Sequence, residues 1–419
     1  MGFKYTVLVI IWCSWLVVLI TGHAEAAENV EATSVLVPLC VGKVSESSLS
    51  SICIVAESTV AVSTDHDVAI WTLEHNGNIA KCKAKAAIST VRDMHYLAEQ
   101  DTLICAGSHL AAWRVRQREI DVLGTLIAAD EHFPDSVEFY LEIALTQNNK
   151  FFAASTTSVD SIPVVGRADD LQGARSQAIH SAFGAVAWKK DGLELFLTEW
   201  QDKDVESEAI VLRTLSGLEL SEPRAKFRTT LNDRTTEVTS DQAAQKSAKD
   251  LPIRTRINDQ FGIKTAFDSE HVFLSLYTDW ETKAAKNPED VKTHEIWDVT
   301  DEDKCELVRI FAETDIGPDR QCGDFVRCLT VNAIDDQTTS AHFIFVYERG
   351  LIDLAAARGA LVKGIESSAF TRIPDIASLP EQVGLVSAAC ISSDGLRIAT
   401  AHASGHVIIW SYSREHNIP

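Results

Sequence analysis

The residues able to do chemistry lie scattered along the chain. His294-Glu295 sets an imidazole beside a carboxylate, but at the start of an apolar run and without the second histidine of a zinc-binding H-E-x-x-H helix. A solvated edge pair is its expected role. Ser108 in AGSHL follows an apolar run, as a nucleophile on an elbow would, yet lacks the second glycine of G-x-S-x-G. Asp298, Asp301, Glu302 and Asp303 crowd into DVTDED, a group of hard oxygen donors of the kind that hold cations. Without the glycine and regular alternation of a calcium loop, they read as a solvated acidic turn. No P-loop is present, and the 13 histidines do not fall beside cysteines at zinc spacing. The expectation is no catalytic set, no cofactor and no metal, although a Ser/His/Asp group assembled from distant segments stays open.

One pattern rises above this background. LELFLTEWQDKD and VFLSLYTDWETK each end an apolar strand with Thr, an acid and Trp, giving Glu199-Trp200 and Asp279-Trp280. The equivalent junctions elsewhere carry small polar residues, as in STDHD, AGSH and HASGH. An indole at a strand end is a poor core residue but a good interface anchor, because buried aromatics dominate binding hot spots. Trp200, Trp280, Glu199 and Asp279 are therefore the candidate partner-binding residues. The competing role is that each ring folds back onto Phe196 or Tyr277.

The elements that must position these residues are strands. Beyond residue 30 the apolar runs are four to eight residues long and rich in Val, Ile, Thr and Leu, with polar turns between them. The 419 residues, 46% hydrophobic and 23% charged, are enough to bury a large core. With 60 acids against 38 Lys and Arg the net charge is −22, which argues against nucleic acid and favours basic protein partners. Only 7% aromatics and two Met argue against a membrane-embedded bundle.

The N-terminus reads as an address. An uncharged run from Tyr5 to Gly22 follows Lys4, and Glu25, Glu28 and Glu31 come after it, the asymmetry of a chain whose C-terminal part is translocated. Ala24-Glu25-Ala26 has the form of a signal-peptidase site, so residues 1–26 are either a cleaved signal peptide or an uncleaved anchor spanning a membrane through residues 5–22. Both place the body in the secretory pathway: the endoplasmic reticulum lumen, outside the cell, or tethered to a membrane. Eight cysteines follow the leader. Cys53, Cys105 and Cys390 sit in apolar runs and are expected as buried thiols, while Cys322 and Cys328 form the best-placed local bridge.

The body repeats itself. DVAIWTL, HLAAWRV, HEIWDV and HVIIWSY each centre a Trp (71, 113, 297 and 410) in an apolar strand preceded by a second strand. The clearest unit, SAACISSDGLRIATAHASGHVIIW, places a Ser393-Asp394-Gly395 hairpin before the second strand and Gly405-His406 before the third; Lys190-Asp191-Gly192 repeats the hairpin, and Trp297-Asp298 closes another unit. These residues resemble the WD-repeat family of β-propellers over nearly the whole chain, with one true Trp-Asp pair. The resemblance implies an all-β, seven-bladed β-propeller over residues 27–419, with blades beginning near Ser51, Val91, Val137, Ala182, Ile263, Arg327 and Leu385. A polar stretch at 235–256 is expected as a mobile loop between blades four and five. The last blade lacks its outer strand, and residues 31–41 (EATSVLVPLCV) are expected to supply it and close the ring.

These readings point to a monomeric, non-enzymatic scaffold for protein partners in the secretory pathway. Two alternatives belong to the same fold. One is a lumenal hydrolase with carboxylates and histidines converging on the central channel. The other follows from the resemblance, since some membrane-tethered WD-like propellers are exchange factors for small GTPases in vesicle budding; it requires a cytosolic body.

Overall fold

A computed structural model describes residues 33–74, 80–125, 140–156, 163–177, 181–190, 193–202, 207–222, 225–226, 252–257, 263–282, 291–301, 305–316, 322–332, 341–356, 361–365, 370–374 and 383–415. The expected leader, residues 31–32 of the expected closing strand and 235–251 of the expected loop lie outside the described residues.

The short apolar runs become strands, and these assemble into seven separate sheets. Each sheet is one blade of a seven-bladed β-propeller. Blades one to seven span 51–86, 93–125, 140–176, 181–226, 263–312, 325–372 and 386–415, each beginning within three residues of the position expected from the repeat. Strands follow one another in chain order from the axis outward. Antiparallel succession therefore puts the turns between first and second and between third and fourth strands on one face, here called lower. The second-to-third turns and the links to the next blade lie on the upper face.

Period-two alternation explains the core. Successive side chains of a strand point to opposite sides of the sheet, so each blade packs against both neighbours. In blade four, Leu195 and Leu197 join the apolar cluster shared with blade three, while Phe196 joins the one shared with blade five. Seven such clusters fill the seven blade boundaries among the described residues. The repeated tryptophans lie in third strands, with Trp113, Trp297 and Trp410 fully buried and Trp71 half-buried.

Blade seven supplies three strands of its own, Val386–Ile391, Arg397–His402 and His406–Glu415. Its outer strand is Thr33–Lys43, antiparallel to His406–Glu415 from Thr33 opposite Glu415 to Lys43 opposite His406. The ring is thus closed by the N-terminal strand, as expected. Pro38, which has no N–H to give, sits beside the register shift of this outermost strand, the kind of position where a sheet tolerates proline. Past the strand, the Val44 and Ser45 amides donate to the Gly405 carbonyl at 3.0 and 3.3 Å. Gly405 has φ of 78°, and a Cβ there would lie 2.0 Å from the Ser45 carbonyl oxygen, so only glycine fits beneath the seam.

Two features depart from a plain ring. Pro252–Ile257, which fall mostly within the stretch expected as a loop, form a strand paired with the far half of Val272–Thr282. Val362–Lys363 cross from blade six to pair in parallel with Glu306–Ala312, the outer strand of blade five. Among the described residues no helix is long and apolar enough to cross a membrane.

Gly217, with φ of 66° and no atom within 4 Å of where a methyl group would sit, isolates backbone strain from crowding. Gly217→Ala should cost about 1–2 kcal/mol, the strain of a left-handed L-residue. Gly405→Ala should cost clearly more, because the seam must also shift, and urea unfolding of the two variants gives the comparison.

Candidate functional site

The two tryptophan-bearing strands are the longest second strands of the ring. Glu194–Asp202 and Val272–Thr282 run nine and eleven residues, against five to seven in the other blades. Their extra length lies at the upper face, so blades four and five raise adjacent ridges there. Pro252–Ile257 reinforces the second ridge, with Thr255 opposite Trp280 and Arg256 opposite Asp279.

Register places the four candidate residues. Pairing runs unbroken from Glu194 opposite Thr214 to Trp200 opposite Glu208, and from Phe273 opposite Asp298 to Trp280 opposite Val291. Position 200 therefore shares the sheet face of Phe196, and position 280 that of Leu274 and Leu276; these are the two faces that meet in the cluster between blades four and five. Position 280 falls on the opposite face from Tyr277, whereas position 200 does share the face of Phe196. Positions 199 and 279 fall on the outward faces, toward blades three and six. Asp279 stands between register partners Arg256 and Lys292, while Glu199 stands between Ser181 and Ala209. The structure brings the two tryptophan positions to one boundary and sends the two acid positions away from it.

The axis holds a charged set that no motif in the sequence reveals. Asp93, Glu142, Lys264 and Arg327 belong to the innermost strands of blades two, three, five and six. Asp93 is fully buried and accepts from Arg327 at 2.7 Å, from the Ile143 amide at 2.9 Å and from the Met94 amide at 3.0 Å, with His95 Nε2 3.4 Å away. Glu142, also fully buried, is ion-paired with Lys264. Burial alone would push the Asp93 carboxyl up, but the Arg327 guanidinium and His95 hold it below the usual carboxylate range. Burial pushes Lys264 down to about 8, Arg327 adding to the effect and Asp93 opposing it. Carboxylates and a histidine do converge on the channel, as a hydrolase would need, but each carboxylate is matched by a cation from another blade. The arrangement braces the ring across its middle.

His294 and Glu295, expected as a solvated pair, are both buried. His294 stacks between Tyr277 and Phe311, with ring centroids 4.6 and 4.8 Å away, and shares a 2.9 Å hydrogen bond with the Tyr347 hydroxyl of blade six. Burial pushes its pKa down to about 3, so it is a neutral aromatic in the boundary between blades five and six. Glu295 accepts from the Trp297 indole N–H at 2.9 Å. In blade seven the Trp410 indole N–H donates to Thr400, whose hydroxyl meets His402 at 2.8 Å; burial pushes His402 down to about 4. Asp298 and Asp301 of the acidic turn are described, and the Thr300 amide donates to Asp298 at 2.9 Å; residues 302–304 lie outside the described residues. Cys322 and Cys328 are free, buried thiols and form no bridge. Cys53 and Cys105 are buried as expected and Cys390 is half-buried; burial pushes Cys328 and Cys390 up to about 12, which makes them inert packing residues.

Against solved structures, the chain is similar to the N-terminal domain of Nup159, with a TM-score of 0.53 over 92% of this chain and 97% of that chain at 10% identity. Likeness at that identity concerns architecture alone, and together with the seven sheets it makes this chain a seven-bladed β-propeller. No protein-family model and no curated protein sequence matches it.

Removing one partner of the axial brace leaves a buried charge uncompensated. Arg327→Met should cost roughly 3–5 kcal/mol, and adding Asp93→Asn should recover most of that loss in denaturant titrations. The two depressed histidines set an acid limit. Both are neutral in the fold but protonate near 6.5 once unfolded, so their contribution is present above that value and lost as pH falls toward about 4 for His402 and about 3 for His294. The unfolding midpoint should fall between pH 6.5 and 4, and less steeply in His294→Phe.

Proposed function

We propose that this propeller is a non-enzymatic scaffold for protein partners, built on degenerate WD-type repeats and working in the secretory pathway. The observation that supports the scaffold reading is the pair of raised strands on adjacent blades, in which positions 200 and 280 fall in backbone register with Phe196 and with Leu274 and Leu276, residues of the cluster between blades four and five. A rigid ring with two tryptophan positions at one boundary suits a partner that inserts a segment between blades four and five. The WD-type reading rests on the four third-strand tryptophans, on the Gly-His step at Gly405 and on the Ser393-Asp394-Gly395 turn, where Gly395 has φ of 70°. The secretory assignment rests on the charge pattern around residues 5–22. With a net charge of −22, basic partners would be drawn in from a distance, an attraction that salt weakens.

Affinity capture with the wild type and with the Trp200→Ala/Trp280→Ala protein tests the site. The expected outcome is loss of the captured partner with an unchanged unfolding midpoint; a midpoint that collapses would instead assign both rings to the core. Protease protection in intact microsomes tests the compartment. A shielded body supports the lumenal placement, and a digested one favours the cytosolic alternative.

A further inference from the structure

The lower face carries a second feature, away from the tryptophan ridges. At the boundary of blades three and four lies a cleft of about 510 Å³, within the roughly 300–1,000 Å³ typical of ligand sites. Phe151, Leu193, Leu215 and Leu218 give it an apolar floor, and Arg167 and Arg175 stand at its rim. Leu193 is 50% exposed, an apolar side chain held in water by the turn between the first two strands of blade four. The lip is the hairpin tip at Gly217, where a methyl group would meet nothing. The cleft is open and apolar below, with Arg167, Arg175 and Glu219 at its edge.

The two guanidinium groups differ in how firmly they are held. Arg167 is clasped by both oxygens of Asp169, at 2.8 and 2.7 Å. Arg175 reaches Glu219 only at 4.0 Å, with the two side chains 67% and 82% exposed. An exposed pair at that separation contributes little to stability, so Glu219 is a weak occupant of the Arg175 fork. A carboxylate placed for two parallel N–H···O bonds would replace it on favourable terms.

We infer that this cleft docks an acidic peptide in which an apolar side chain lies next to a carboxylate. The apolar group covers Leu193 and Phe151, and the carboxylate takes the place of Glu219 on Arg175. At the rim Asp169 already occupies Arg167, which leaves the exposed Arg175 as the group that takes the carboxylate. The protein's more distant acids are screened at physiological salt, where the screening length is about 8 Å. This site would give the ring two faces of opposite preference, with a basic partner above and an acidic segment below.

The test uses fluorescence anisotropy with labelled Gly-Glu-Leu-Glu-Phe-Glu-Gly and its counterpart with Lys for every Glu. The Glu peptide should bind and the Lys peptide should not. Arg175→Ala and Leu193→Ser should each weaken binding about tenfold. Glu219→Ala should tighten it, because the internal competitor is gone. Trp200→Ala/Trp280→Ala should leave it unchanged, which separates this site from the upper one. Equal binding of both peptides, no binding of either, or wild-type affinity in Arg175→Ala would overturn the inference. Arg175 and Glu219 are solvent-exposed, so those two variants carry the test even if Leu193→Ser does not fold.

Discussion

A ring of blades has one seam, and everything else depends on how it is sewn. Here the stitch is the antiparallel pairing of Thr33–Lys43 with His406–Glu415, joining segments from opposite ends of the chain. Each blade buries its apolar surface only against two neighbours, so an unclosed ring would expose one face of blade one and one of blade seven. It would also leave the edge of His406–Glu415 open to pairing with other chains. The crowding beneath Gly405 shows how tightly the seam is fitted, for the turn that opens the last strand also receives the chain as it leaves the closing strand.

The seam works at the rim, and the ion pairs work at the hub. Asp93 binds a guanidinium from blade six and a backbone amide from blade three, so a single carboxylate gathers three blades. Buried pairs of this kind seldom add much net stability, because desolvation offsets the attraction; their effect lies in the cost of breaking them. Away from these paired charges the ring presents its two faces. The second strands of blades four and five are extended on one of these, and the cleft between blades three and four opens on the other.

Much of the ring was legible from residues alone, because blade boundaries follow from local signals. Apolar runs mark every unit, a third-strand tryptophan marks four, Asp-Gly turns two and a Gly-His step one, and the three-strand remainder after Leu385 with an orphan apolar run near residue 35 implied the closure. The axial brace was not legible. Asp93 and Arg327, or Glu142 and Lys264, are single charges in separate strands far apart in sequence, and no local pattern links them. His294-Glu295 misled for a related reason: polar residues near a strand end suggest solvent, yet five aromatic rings from blades five and six surround the imidazole. The strand at Pro252–Ile257 was hidden because its pairing partner is an overlong strand that a lean repeat would not contain. At the candidate site the tryptophans were visible as an anomaly of composition, but the backbone register of positions 200 and 280 with the strands beside them was not.

The uneven spacing of the hub charges has a further consequence. Blades of similar length and pattern are, to a folding chain, nearly interchangeable parts, and repeat proteins are prone to misassembly. Seven is odd, so no blade has a true opposite; the two pairs span unequal arcs, blade two to blade six and blade three to blade five. A ring assembled with blades two and five exchanged, or three and six, would set acid against acid and cation against cation at the buried hub. The hub charges thus act as a partial key, rejecting those two exchanges while leaving the order of the uncharged blades to the seam and the boundaries.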